Sequence, residues 1–258
     1  MNNAIEHSES IGVIARVTED GKTIAFDVED EGIGIFEHVM QTRGLRTPFE
    51  AIAELQKGKV TTAPKGHSGE GLFFTSKMAD RMFVESGSTR WAIDGLRDDQ
   101  AVETSPKRVG TRVHFEIARD SARTTTEVFG AFTDEDLAFS RTRPSIRLFR
   151  EGAEIVSRSE AKRLLAGLEK FKEVELDFRD VRGIGQGFAD EVFRVWQQEH
   201  PSVRLTVANA GSAVQFMITR ARATAAMSPP PTGSTFQVHG GSVPMITPAN
   251  GNSTKTSS

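Results

Sequence analysis

Residues 26–39 read FDVEDEGIGIFEHV, and they decide how the N-terminal half is built. Phe26 and Val28 alternate with Asp27 and Glu29, the period of a strand with one face on a core. The alternation stops at an acidic turn holding Gly32 and Gly34. Glycine lets the backbone pass close to a flat ligand or adopt positive φ. Asp30, at the strand end, can accept a hydrogen bond from an exocyclic amine such as the N6 amine of adenine, a charged hydrogen bond worth about 1.5–3 kcal/mol. On its own, D-x-G-x-G reads more readily as an acidic turn that ends a strand.

A second glycine-rich stretch follows at residues 65–80, KGHSGEGLFFTSKMAD. Gly66, Gly69 and Gly71 lead into an apolar, helix-like run that begins at Leu72. Unpaired backbone N–H groups at such a helix start, with the positive end of its dipole, make an anion site. A Walker loop is excluded because the closing Gly-Lys-Ser/Thr is missing. A nucleophile elbow is excluded too, because Glu70 stands where G-x-S-x-G needs its second glycine. At the chain start, NNAIEHS has the look of a helix, and the Asn3 carboxamide oxygen is a hard ligand suited to Mg²⁺.

Taken together, NNAIEHS, DEGIGI, GHSGEGL and GTRVHFEI (from Gly110-Thr111) stand in the order and approximate spacing of the GHKL (Bergerat-fold) ATP-binding domain. The resemblance is to histidine kinases and, more closely, to anti-sigma-factor serine kinases. It implies an α/β sandwich with ATP held between helices and a mixed sheet. Asn3 then matches the magnesium-binding asparagine and Asp30 the adenine-reading aspartate. Gly32 and Gly34 match the glycines of that same box, and Gly69 and Gly71, with Leu72 beside them, match the phosphate loop. Thr111 matches the threonine near the adenine, and residues 36–65 match a mobile lid. The family's general-base Glu falls four residues before Asn3, ahead of Met1, as do the first helix and edge strand. No catalytic residue is assigned for this reason. The start lies upstream, or the chain is a truncated ATP binder; one turn beyond Asn3, Glu6 is on the wrong side to substitute.

Composition narrows the classes. The 258 residues carry a net charge of −3 and no cysteine. The length suits two domains. The charge argues against general nucleic-acid or anionic-membrane affinity. Lack of cysteine removes disulfides, thiolate metal sites and thiol catalysis, and it fits a reducing cytoplasm. No apolar run reaches the roughly 18–20 residues of a membrane span, and no signal peptide opens the chain. A soluble, cytoplasmic protein of bacterial type is expected.

Strand-like runs IGVIARV, TIAFDVED, RMFVES, TRWAI and TRVHFEI occupy residues 11–117, with helix-like pieces near 49–57 and 72–81. Asp20-Gly21 marks a hairpin. A polar bridge leads to a zone at 143–222 that alternates strands (SIRLF, VELDF, RLTVAN) with helices (SEAKRLLAGLEKF, FADEVFRVWQQE, SAVQFMITRA), the pattern of an α/β layer. In that zone Gly183-Ile184-Gly185-Gln186-Gly187 fails as a dinucleotide fingerprint: Phe188 takes its sixth position, and no acid closes the next strand. A tight turn before a helix with Phe188, Val192 and Val195 or Trp196 on the sheet is expected. Arg141, Arg143, Arg147 and Arg150 read as a solvated strand face.

Residues 145–220 resemble the STAS-like domain family of unknown function, which is found attached to GHKL domains and is related in shape to anti-sigma-factor antagonists. The match is close through LDFRDVRGIGQGFADEVFRV. The loop that carries a phosphorylatable Ser in antagonists has no hydroxyl residue here; Asp180, Gln186 and Asp190 read as partner or ligand contacts or, more commonly for such residues, as solvated loop polarity.

The expectation is therefore α/β (α+β): a two-layer Bergerat-type ATP-binding domain at 1–120, a linker at 121–142, a small STAS-like α/β domain at 143–222 and a disordered tail at 223–258. The resemblance implies Mg-ATP binding, nucleotide-dependent switching of a sigma/anti-sigma-type protein partner, homodimerisation and phosphoryl transfer to a protein Ser, Thr or His. A catalytically inactive ATP-sensing scaffold and a dimerising ATPase are the alternatives.

Overall fold

The computed structural model describes residues 8–59, 70–146 and 157–227. Strands β1 (Val13–Glu19) and β2 (Thr23–Asp30) form an antiparallel hairpin. Asp20 shapes its turn: the carboxylate accepts from the N–H groups of Lys22 (3.1 Å) and Thr23 (2.9 Å), and Gly21 sits at φ 85°. Strands β3 (Arg81–Asp94) and β4 (Asp99–Ala118) form a longer hairpin, giving an antiparallel sheet of order β1-β2-β4-β3. Its pairing shifts between Ser86 and Thr89, with the partner register jumping from Thr111 to Arg108 and then Thr104. Pro106, which has no N–H to give a ladder, lies inside that irregularity.

Helices α1 (Ile35–Arg43), α2 (Pro48–Leu55) and α3 (Gly71–Met78) pack on one sheet face. Phe36 and Val39 of α1 and Ile52 of α2 share a buried cluster with Met82, Val84 and Trp91 of β3. Alternation puts Met82 and Val84 on the same face as their partners Phe115 and Val113. Thr47 starts α2 by accepting the Glu50 N–H, with Pro48 in the first turn, where its missing donor is harmless.

The second sheet is parallel, in the order β5 (Arg141–Thr142), β6 (Glu173–Asp177), β7 (Arg204–Ala208). Around it lie α4 (Thr125–Phe132), α5 (Arg158–Leu165), α6 and α7 (Ser212–Met227). Helix α6 runs as Gln186–Asp190, a π-helical stretch Glu191–Trp196, and Gln197–Glu199. Thr124 with Glu127, and Ser157 with Glu160, form capping boxes that fix the starts of α4 and α5. Phe188, Val192 and Trp196 are buried, as the periodicity of that helix predicts. The fold is mixed α/β: an antiparallel sheet with its helices, then a small parallel α/β layer.

The two layers are joined by packing. Leu72 of α3 packs on the first cluster, while Phe73 and Phe74 belong to the second, centred on the parallel sheet. The Phe73 ring lies 4.7 Å from Phe139, and Phe139 lies 5.2 Å from Phe171. Lys57, buried just after α2, donates to the carbonyls of Arg163 (3.1 Å) and Ala166 (2.9 Å) at the end of α5 and pairs with Glu54.

Four expectations change. The stretch at 36–65, expected to be a mobile lid, holds α1 and α2, whose apolar residues are in the core; they are fixed because Phe36, Val39 and Ile52 fill the sheet face. Residues 60–69 of that stretch lie outside the described residues. RMFVES and TRWAI are one bulged strand, and its partner β4 begins at Asp99, well before TRVHFEI. The polar bridge at 121–142 carries α4. The Arg cluster divides: Arg143 pairs with Asp98, Glu175 and Asp177, and Arg141 with Glu173, while Arg147 and Arg150 lie outside the described residues. The tail from residue 228 lies outside them as well.

Candidate functional site

The C-terminal end of β2 meets the middle of β4 in a compact knot. Asp30 is buried, and its Oδ1 accepts the N–H of Gly32 (3.0 Å) and the N–H of Thr111 (3.3 Å). Thr111, also buried, uses its Oγ1 to accept the Ile35 N–H (2.9 Å) at the start of α1. One side chain therefore holds the turn, and the other anchors the helix that leaves it.

The glycines of the knot are required by the protein's own backbone. A Cβ on Gly32 would stand 1.8 Å from the Ser8 carbonyl oxygen, which accepts the Ile33 N–H at 2.8 Å. A Cβ on Gly34, at φ 86°, would meet Ser86 Oγ at 2.4 Å. On Gly110, at φ 72°, it would meet the Asp30 carbonyl oxygen at 2.0 Å. At Gly32 and Gly110 the obstacle is backbone, which leaves no room for a side chain; at Gly34 it is a hydroxyl that can turn, and the positive φ sets the demand for glycine. Of the two roles expected for these glycines, positive φ is met at Gly34, while beside Gly32 it is the chain itself that comes close.

The carboxylate has one oxygen to spare. No described residue donates to Oδ2 of Asp30, although the residue is only 5 % exposed. A carboxylate oxygen in so enclosed a residue can take a further donor. The chemistry fits an exocyclic amine such as the adenine N6 group.

Of the sequence-predicted residues, Asp30, Gly32, Gly34 and Thr111 come together. Gly71 opens α3 and is exposed, and a Cβ there would meet nothing within 4 Å. Leu72 packs on the same apolar cluster as Ile35 and Phe36 of α1, so the start of α3 shares the layer that leaves the knot. Asn3 and Gly69 lie outside the described residues, and with them the Mg²⁺ ligand and part of the phosphate loop. Among the described residues, no group of three or more His, Asp or Glu could hold a metal ion. Sequence reasoning missed Ser8 and Ser86 as walls of the knot. Gly110 was visible beside Thr111, but only the structure gives it a role, through its positive φ.

The outer face of the antiparallel sheet is a lattice of ion pairs. Asp27 accepts from Arg112 (2.8 Å) and lies 3.1 Å from His114 Nδ1; Glu29 pairs with Arg16 (2.7 Å) and Arg108 (3.2 Å). Burial pushes the Asp27 carboxyl up, but Arg112 and His114 outweigh it and hold the group below the usual carboxylate range. These charges serve one another.

In the second layer Gly183 and Gly185 lie at the end of the loop that joins β6 to α6, Gly187 is in the first turn of α6, and Gly185 has an ordinary φ of −73°. Of the contacts expected there, Asp190 is engaged by Arg194 (2.6 Å) and Arg158 (3.0 Å). The Arg194 guanidinium holds the Asp190 carboxyl below its ordinary value.

The family model of a STAS-like domain of unknown function (DUF4325) matches residues 160–215, which run from α5 into α7. No curated protein matches the chain. Among solved structures, the chain is similar to the 43K ATPase domain of Thermus thermophilus gyrase B in complex with an aminocoumarin, at 22% identity. That match covers 50% of this chain and 31% of the other, with a TM-score of 0.28, too low to carry an argument about the site. No helix among the described residues is long and apolar enough to cross a membrane.

Proposed function

We propose that residues 1–120 form a GHKL-type domain that binds ATP with Mg²⁺, that residues 121–142 join it to a STAS-like domain at 143–222, and that the whole is a nucleotide-dependent signalling regulator in the cytoplasm. The observation that carries this reading is Asp30: a nearly buried carboxylate held by Gly32 and Thr111 through one oxygen, with the other left for an amine donor. Adenine offers that donor. Guanine presents a carbonyl in its place, which a carboxylate repels. When bound, ATP supplies the triphosphate from which a phosphoryl group can pass to a protein Ser, Thr or His. The chain's own residues do the holding: Asp30 reads the base, Thr111 fixes Asp30 and α1, Gly71 leaves the α3 start open, and Asn3 is assigned the metal from its motif. The partner is a regulatory protein of sigma/anti-sigma type, met as a homodimer. Nucleotide alters what is bound only through a difference in affinity between two states.

Calorimetry with Mg-ATP and Mg-GTP tests the pocket. In Asp30→Asn the amide oxygen still accepts from Gly32 and Thr111, so the fold persists, but an NH₂ faces the adenine amine. ATP affinity falls by about ten-fold or more. Wild-type affinity in that variant, or equal binding of ATP and GTP, removes the reading. Incubation with γ-labelled ATP then separates a kinase, which yields labelled protein, from an ATPase, which yields free phosphate alone.

A further inference from the structure

Away from the Asp30 knot, a cavity of about 310 Å³ lies where the two layers meet. Its floor is the carboxyl end of the parallel strands, at Ser145, Asp177 and Arg179. Open parallel sheets bind ligands at that end. Its roof is the β3–β4 hairpin and the last turn of α3, and Trp91, Ile93, Val128 and Phe132 give it an apolar side. The volume is at the lower end of small-molecule sites.

Almost every polar group in its wall already has a partner. Gln56 accepts the Ser145 N–H (3.1 Å) and donates to the Ser145 carbonyl (3.1 Å); Trp91 Nε1 donates to Gln100 (3.0 Å). Arg123 is spent on the Ala79 and Gly95 carbonyls. Arg143 and Arg179 both bond Asp98, and Arg143 also bonds Asp177. Lys77 differs. Its ammonium makes no hydrogen bond or ion pair among the described residues, only ring contacts with Phe73 (5.4 Å) and Phe132 (5.6 Å).

We propose that this cavity binds a small monocarboxylate with an aromatic or branched aliphatic body, its carboxylate paired with Lys77 and its body against Trp91, Ile93 and Phe132. A single negative charge matches the one lining cation without a hydrogen bond or ion pair among the described residues. A phosphate dianion would set its surplus charge against Asp98 and Asp177. Burial presses Lys77 below the ordinary lysine value, with Asp98 and Asp177 opposing and Arg143 reinforcing the shift. A bound carboxylate supplies the counter-ion that burial removes.

The test is calorimetric titration of the full chain with benzoate, phenylacetate and 4-methylpentanoate. At least one saturates, and its neutral counterpart (benzyl alcohol, 2-phenylethanol or 4-methylpentanol) binds about ten-fold more weakly or worse. Lys77→Met, whose stem still covers the Phe73 and Phe132 rings, loses the same factor, and Lys77→Arg keeps most of the affinity. No saturation by any of the three acids overturns the proposal, as does equal binding of acid and alcohol by the wild type, a readout independent of how the variants fold.

Discussion

At the end of β2 the chain reads DEGIG and turns into α1; at the end of the loop after β6 it reads GIGQG and enters α6. The two turns are spelled alike and placed alike, strand to helix, yet their glycines answer different demands. Around Asp30, three positions (Gly32, Gly34 and Gly110) have another part of the chain inside the space a Cβ would need. Around Gly183 that space is open. A glycine spacing therefore says little about function until the atoms beside it are known. The tight turn holds a buried carboxylate with a spare oxygen, whereas the loose one leads into a helix whose acidic residue is already paired with arginines.

Gly110→Ala should give the largest effect. The new methyl would sit 2.0 Å from the Asp30 carbonyl oxygen, at φ 72°. Positive φ alone costs a non-glycine residue about 1–3 kcal/mol, and the backbone clash adds to it. A loss of about 3 kcal/mol or more in denaturant unfolding is expected. A loss under about 1 kcal/mol would mean the knot yields easily, and the contrast between the turns would fail.

Lys57→Met comes next, because it cuts the tie between the layers. The Arg163 and Ala166 carbonyls and Glu54 lose their donor, a cost of about 2–3 kcal/mol. The same lysine gives a pH signature. Burial holds its folded-state pKa below the ordinary 10.5, with Glu54 opposing. Between those two values the unfolded chain binds the proton more tightly, so wild-type stability rises with pH there. That rise should shrink in Lys57→Met, as thermal melts across the alkaline range would show.

Much of this was legible beforehand. Asp20-Gly21 announced its hairpin through the Asx turn that the carboxylate makes. The apolar spacing of Phe188, Val192 and Trp196 announced the buried face of α6. The acidic strand end and the Gly110-Thr111 pair stood out, since charge and glycine at a strand end are local features. What failed was non-local. Helix α1 lies between Gly34 and Gly44 and carries Glu37, His38, Gln41 and Arg43 on its outer side, so it read as a lid until Phe36 and Val39 were found against β3. The first half of β4 pairs only with β3 in a two-stranded ribbon, touches the core through little more than Val102, and contains Pro106. Lys77 gave no signal at all, because its isolation depends on where the parallel sheet docks.

Gly71 is a third kind of glycine. A Cβ there meets nothing in the described protein and no φ strain, so Gly71→Ala should change stability by no more than about 0.5 kcal/mol. If that space belongs to a phosphate, Mg-ATP affinity should still fall about ten-fold in calorimetry. Unchanged affinity would place the triphosphate elsewhere.

The smallest effect is expected at Gly183, and it completes the contrast. A methyl there enters open space, and the backbone is not in the left-handed region. Alanine removes conformational freedom from the unfolded chain without straining the folded one. Stability of Gly183→Ala should be unchanged or raised by about 0.5 kcal/mol, measured under the same conditions as Gly110→Ala. A loss of about 1 kcal/mol or more would show that this turn also needs glycine, as one closing on a ligand or partner would. The GIGQG loop would then regain a claim to function that its geometry does not support.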